Sequence, residues 1–380
     1  MKNKTIWTII AIVLVIIISV ISVNEQKKSA DTIKIGATLA LSGNLSFIGE
    51  SERNGLLLAV EDINKAGGIK GRMLELKTED NQGLANPAVS GVNKLINVDK
   101  VDILFSAFTH ITQAVKDTAG NAEIPMVYAS AFAEIAENND LFFRDYFDTK
   151  DMGKTMANQM ITDNHVRIAY FGQNNTACNE YLGTAKEIFN KEGKNLVAEY
   201  MFTPEDNDFK TTLTKIKNVN PDAIFTCSHT KSDILMRQMD QLGMINIQTY
   251  QMLAPFLPSG DTVEIRNLYE KNKTVTGWFG FVYGSLTEKQ KEFKDRYEKR
   301  FGVKLAADVT FAYDDVIAMS GVIEKCLNAD GKIDNTCFTT NFTKINHDGI
   351  SGKLSFNEKG VSQRDTLLMT IKGGEWVNVK

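Results

Sequence analysis

The chain has 380 residues, 43% hydrophobic and 24% charged, which is material for about two domains of ordinary size. Its formal net charge of −4 gives no reason to expect nucleic-acid binding, which needs a basic face. Six prolines and no Ser/Gly-rich or Gln-rich tract argue against a long disordered linker.

The N-terminus differs from the rest. Lys2 and Lys4 precede an uncharged apolar stretch, Ile6 to Val23. About 18 residues at helical rise nearly span a bilayer's hydrocarbon core. The leading lysines favour an orientation with the body outside the cytoplasm, although Lys27 and Lys28 soften that asymmetry. No small-x-small site directly follows Val23, no cysteine stands near to take a lipid, and Ser29-Ala30 is a weak cleavage point. The favoured expectation is an uncleaved transmembrane anchor. A cleaved signal segment and a buried core helix are the alternatives.

From Asp31 the body begins. Thr32 to Leu39 alternates and is β-rich, so it reads as a strand. A helix is expected from about Glu50 to Lys65, with Leu56, Leu57, Val60 and Ile63 on one face and Glu52, Arg53, Glu61 and Asp62 interleaved. Gly67-Gly68 should end it as a left-handed cap, with Ile69 folding back. Strand Arg72 to Thr78, helix Pro87 to Asn97, strand Val101 to Phe105, helix Ile111 to Asn121 and strand Pro125 to Ala129 continue the alternation.

The pattern then restarts. Val166 to Phe171, Leu196 to Phe202, Ala223 to Cys227 and Thr249 to Leu253 read as strands. Glu180 to Glu192, Phe209 to Asn218 and Asp233 to Leu242 read as helices. Two consecutive α/β units, each a mainly parallel sheet flanked by helices, follow. Ligands of open α/β sheets bind beyond the carboxyl ends of the strands, and two such sheets face to face would enclose a cleft.

Four cysteines fit an oxidising compartment. Cys326 and Cys337 flank a turn-rich loop, Leu327 to Thr336, and a disulfide closing it would contribute about 2–4 kcal/mol. Neither has a CxxC partner or a nearby histidine, so a metal site is not expected. Cys178 and Cys227 are either paired or free. His110, His165, His229 and His347 are dispersed and form no catalytic motif. Gly67 to Gly71 is no phosphate loop, because it follows a helix and no Ser or Thr follows its lysine. A binding protein without a cofactor is expected, not an enzyme.

The run from Ile33 to Asp80, IKIGATLALSGNLSFIGESERNGLLLAVEDINKAGGIKGRMLELKTED, closely resembles the start of the leucine/isoleucine/valine-binding protein family. These are type I periplasmic binding proteins serving ABC transporters. The resemblance continues through IPMVYASA (Ile124 to Ala131), FRDYFD (Phe143 to Asp148), FAYDDV (Phe311 to Val316) and GKLSFNEKG (Gly352 to Gly360). It implies two lobes joined by three crossovers, here expected near Tyr146, Val282 and His347. Residues 1–5, 6–23 and 24–31 would be n-region, membrane segment and linker. Residues 32–146 with 283–347 would form lobe 1, and residues 147–282 with 348–380 lobe 2. It further implies a small-molecule ligand (an amino acid, amide or small organic acid), with ABC permease and ATPase subunits as partners. A ligand-sensing ectodomain for a separate signalling partner is the alternative.

Ligand residues follow position by position. Ala107-Phe108-Thr109 matches the segment that holds a ligand carboxylate, and Thr109 offers a hydroxyl and an N–H near a helix start; a plain helix cap is its other reading. Ser130-Ala131-Phe132 matches the segment that meets both charged ends of an amino acid, with Phe132 where threonine is usual. Ile48 replaces a frequent aromatic, and Gly83 and Phe108 replace a frequent cysteine pair. In lobe 2, Ser228 stands for a tyrosine, and Leu253 or Ala254 stands near the position of an acid. The polar stretch before Cys178 offers amide hydrogen bonds. The carboxylate that would neutralise a ligand ammonium is missing, and an unpaired buried ammonium is costly. The ligand is therefore expected to have drifted from plain leucine, with Phe108, Phe132, Phe256 and Trp278 pointing to an apolar or aromatic body.

Overall fold

The computed structural model describes residues 32–228, 231–252, 262–278, 286–364 and 366–379. The first sheet is built from β1 (Ile33–Leu39), β2 (Leu74–Asp80), β3 (Ile103–Ala107), β4 (Met126–Ala129) and β5 (Phe142–Arg144). Its order is β2-β1-β3-β4-β5, all parallel. Between the strands run α1 (Ser46–Lys65), α2 (Ala85–Lys94), α3 (Thr109–Asn121) and the short α4 (Glu134–Glu137). The register aligns Leu39 with Asp80 and Ala107 with Ala129, so the carboxyl ends of these strands share one edge.

The second unit begins with α5 (Thr149–Thr162) and continues through β6 (Ile168–Gln173), α6 (Thr176–Lys191), β7 (Ala198–Phe202), α7 (Lys210–Asn218) and β8 (Ala223–Cys227). Then come α8 (Ser232–Gln241), β9 (Gln248–Gln251), α9 (Val263–Asn272) and β10 (Val275–Trp278). Strands β7-β6-β8-β9-β10 are parallel and repeat the order of the first sheet. β13 (Leu367–Lys372) and β14 (Glu375–Asn378) add an antiparallel edge. In each sheet the strand order reverses beside the first strand, at β1/β3 and at β6/β8. Such a reversal opens a crevice at the carboxyl edge.

The local signals act as expected in several places. α1 ends at Gly67 (φ 102°) and Gly68 (φ 73°), whose N–H donates to Ile63 O at 2.9 Å, and Ile69 is buried. The helix starts four residues earlier than its apolar period, at Ser46 and without a side-chain cap. Buried on α1 are Leu56, Leu58, Ala59 and Val60, together with Glu52. The expectation of Glu52 as an interleaved polar residue thus gives way to a buried carboxylate, because a distant helix covers it.

That helix is α11 (Ala307–Cys326), which follows α10 (Glu288–Phe301) and returns the chain to the first sheet. Val316, Met319, Val322 and Ile323 enter the same core as Ile35, Leu56 and Phe105. Phe338 and Phe342 of α12 (Asn335–Phe342) join it through Phe143, with ring centroids 5.8 and 4.1 Å away. The hairpin β11 (Asn346–Asp348) and β12 (Lys353–Ser355) comes next. Leu354 and Phe356 lie in that core, and Val361 packs on the sheet's other face. Residues 348–361, expected with the second lobe, therefore pack on the first, because their apolar side chains find their core there.

Both cysteine pairs are disulfides. Cys326–Cys337 closes the loop after α11, and Cys178–Cys227 ties the first turn of α6 to the end of β8. Among the described residues no helix is long and apolar enough to cross a membrane. The apolar stretch of residues 6–23 lies outside them, as do Ala254, Phe256 and the expected crossover near Val282.

Candidate functional site at the carboxyl edges of the two sheets

At the end of β1 the chain turns over the Asp80 carboxylate, which accepts from Leu41 N–H (2.9 Å) and Ser42 Oγ (2.6 Å). Slight burial works against ionisation there. The Ser42 hydroxyl and the N–H groups of Gln82 and Leu41 nonetheless hold this carboxyl below its ordinary range. Gly83, in the loop after β2, accepts at its carbonyl from His110 Nε2 at 3.0 Å. The loops beyond β2 and β3 are thereby held together. Ile48 is half-buried in the first turn of α1.

Beyond β3, Ala107 is buried and Phe108 takes φ 65°, ψ 138°. That backbone conformation is strained for a residue with a Cβ. It turns the chain directly into α3 with no side-chain cap, leaving the first-turn N–H groups of the helix to other partners. Thr109 is the first helical residue and half-buried. Since Phe108 is the cap and no side chain bonds to the first turn, Thr109 does not act as the cap that was its alternative reading.

Beyond β4, the expected site is partly used up by the fold. Ser130 is buried; its Oγ accepts from Phe132 N–H (3.2 Å) and its carbonyl from Arg144 Nε (2.8 Å). Ala131 is half-buried. The N–H of Phe132, expected to face a ligand, is bonded locally. The ring lines a separate groove of about 510 Å³ between α3 and α4, with Lys116, Asn121 and Asn139.

In the second sheet, Ser228 directly follows β8. It is 4% exposed, and its Oγ accepts from Lys231 N–H at 2.9 Å. Asn175 caps α6 by accepting from Cys178 N–H at 2.9 Å. Cys178 itself is fully buried and its sulfur is consumed by the bond to Cys227. The expectation of Cys178 as a ligand contact is therefore corrected: the residue is structural.

Other groups at this edge escaped the sequence reading. Tyr146, on the connection from β5 to α5, lies tilted against Phe147 (ring centroids 4.5 Å) and meets Phe311 edge-on (6.5 Å). Burial, then the carboxylates of Asp308 and Glu52, push its phenol well above the ordinary value. Burial and then Asp308 likewise raise Glu52, and burial lifts Asp308 to about 6. The available signal was spacing. Glu52 shares a helical face with Gly49, Gly55 and Leu56, so it belongs to a packed stripe. Among the described residues no group of three or more His, Cys, Asp or Glu is placed to hold a metal ion.

The whole span from residue 32 to residue 375 matches the family described as periplasmic binding protein. A Leu/Ile/Val-binding protein homolog 3 of Brucella melitensis is 28% identical over 216 residues, covering 56% of this chain and 59% of that protein. The leucine-, isoleucine-, valine-, threonine- and alanine-binding protein of Pseudomonas aeruginosa is 28% identical over 224 residues, 57% of this chain and 59% of its own length. These matches thus span about three fifths of the relatives they reach. Among solved structures, the substrate-binding protein LivJ of Streptococcus pneumoniae, in complex with isoleucine, is similar with a TM-score of 0.76 and 24% identity. That likeness covers 92% of this chain and 100% of LivJ. A solute-binding protein of Rhodopseudomonas palustris, in complex with 3,4-dihydroxybenzoic acid, reaches a TM-score of 0.78 at 19% identity, covering 92% of this chain and 96% of its own. At these identities the likeness shows the fold. With the family match over nearly the entire described chain, and the resemblance read in its sequence borne out, the chain belongs to the periplasmic binding protein family.

Proposed function

We propose that the protein is an extracytoplasmic solute-binding protein. It captures a small molecule between its two lobes and presents it to the permease and ATPase of an ABC transporter of the branched-chain amino acid type. The observation that carries this is the repeated strand order. Both sheets reverse beside their first strand, so each offers a crevice at its carboxyl edge. Lobe 1 comprises residues 32–145 and the later segment through residue 361, and lobe 2 the rest of the described body. The third crossover then follows residue 361. The uncapped start of α3 at Phe108 and Thr109 suits the acid or amide end of a ligand. Ala107, Ala131, Ile48 and Ser228 complete the walls around it, and residues 6–23 tether the body to the membrane. Nothing in this reading requires catalysis.

Titration calorimetry on the full-length chain tests it, with branched-chain and aromatic amino acids, their amides and the matching carboxylic acids. Saturable one-to-one binding of one class is expected, with no turnover of the bound compound. Thr109→Ala should weaken it by about 0.5–1.5 kcal/mol without changing thermal unfolding. Turnover, or binding unaffected by Thr109→Ala, would contradict the assignment.

A further inference from the structure

Arg144, the last residue of β5, is fully buried, and its guanidinium stands between the two units. Nε donates to the carbonyl of Ser130 at 2.8 Å, which holds the loop of residues 130–132 beyond β4 in the first lobe. Nη2 donates to the carbonyl of Phe147, where the chain enters α5 and the second lobe. Nη1 is buried and has no hydrogen-bond partner among the described residues. Asp148 Oδ2 lies 4.0 Å from it, in ion-pair range but too far for a hydrogen bond. A buried guanidinium N–H left unpaired is costly, and a shift of about 1 Å would satisfy it.

The two partners are anchored to different lobes. Asp148 Oδ1 caps α5 by accepting from Lys150 N–H (2.8 Å) and Asp151 N–H (3.0 Å), so this carboxylate moves with that helix. Next to it, Thr149 Oγ1 donates to Glu180 Oε2 of α6 at 2.6 Å, and α6 begins at the carboxyl edge of the second sheet. Arg144 belongs to the first sheet. Its N–H donates to Gly360 O and its carbonyl accepts from Ser362 N–H, both at 2.8 Å. A change in the angle between the lobes therefore becomes a change in the gap between Nη1 and Asp148.

We propose that Arg144 is a positioning residue for solute capture: as the lobes close on a ligand, its free Nη1 closes on Asp148 Oδ2, while the same guanidinium holds the Ser130 loop in place. The added charge-assisted bond belongs to the closed form alone. It contributes to ligand affinity and not to the stability of the ligand-free fold. This inference rests on the reading that a small molecule is captured between the lobes.

Asp148→Asn in the full-length chain tests it, because asparagine caps a helix about as well as aspartate and lacks the charge. Calorimetry and stopped-flow fluorescence use L-leucine, L-phenylalanine and 3-phenylpropanoate as probes, alongside thermal unfolding of the ligand-free protein. Affinity for a probe that binds the unaltered chain should fall about tenfold. The loss should appear as faster dissociation, with ligand-free unfolding nearly unchanged. Arg144→Lys should weaken binding too, and adding Asp148→Asn to it should cost little more. Should Arg144→Lys fail to fold, Asp148→Asn decides alone. Unchanged affinity in Asp148→Asn, or a loss matched by an equal loss of ligand-free stability, overturns the latch and leaves the capture reading intact. No binding of any probe by the unaltered chain rejects both.

Discussion

Arg364 grips Asp145 with two parallel hydrogen bonds, Nε to Oδ1 and Nη2 to Oδ2, each 2.6 Å. Asp145 lies where the chain first leaves the first sheet, and Arg364 lies just before β13 of the second. The pair therefore clamps two crossing strands of chain at the junction of the units. Both side chains are almost fully buried, and the guanidinium also rests 4.4 Å from the Phe311 ring centroid. A bidentate, dry pair fixes direction as well as distance.

Removing one partner should be severe. Arg364→Ala leaves the Asp145 carboxylate buried and uncompensated, at a cost of about 3–5 kcal/mol. Replacing both, as Asp145→Leu with Arg364→Met, should recover most of that loss. Urea unfolding of the single and double variants measures it. A double variant as unstable as Arg364→Ala would show that the cost lies elsewhere.

Close approach of α1 and α11 depends on a missing side chain. At Gly55 a Cβ would sit 2.3 Å from Val309 O and 3.1 Å from Ala312 Cβ. Gly55→Ala must push the helices apart, at a cost of about 1–3 kcal/mol, even though alanine is the better helix former. Thermal unfolding gives the sign, and a gain in stability would contradict the tight crossing.

Stability should fall as pH rises through the weakly acidic range. Burial lifts the Asp308 carboxyl to about 6 in the folded protein, against about 3.9 in an unfolded chain. Between those values the folded state binds the extra proton, so acidification from neutral pH towards about 5 stabilises the ligand-free protein. Asp308 retains some solvent access, so its share is about 1–2 kcal/mol. Glu52 and Asp315, also raised by burial, act in the same direction, whereas Asp80, held low, opposes them at more acidic pH. Asp308→Asn should flatten the dependence and raise stability at neutral pH. Unfolding curves across that range, for both proteins, check it.

Disulfide loss should separate the two bridges. Cys178–Cys227 closes 49 residues and Cys326–Cys337 closes 11, and longer loops confer more restraint on the unfolded chain. Cys178→Ser with Cys227→Ser should cost about 3–4 kcal/mol, and the other pair nearer 2–3. Calorimetric melting of the two double variants ranks them, and the reverse order would count against an entropic origin.

Much of this protein was decided by its sequence alone. Strand-and-helix alternation, the glycine stop after α1, the short Cys326–Cys337 loop and the restart of the pattern are local features. Each depends on residues a few positions apart, which is the range over which periodicity and turn chemistry act. Family resemblance then arranged those elements into two lobes. Contacts between distant segments were decided only by tertiary structure. Glu52 looked like one more polar residue on a helix until α11, more than two hundred residues later, covered it. Cys178 could be free or paired until β8 brought Cys227 within 5.5 Å, Cα to Cα. The Phe132 N–H went to Ser130 Oγ two residues away, and Leu354 and Phe356 buried in the first core. Burial is a property of where elements meet, and that meeting is set by residues far apart in the chain.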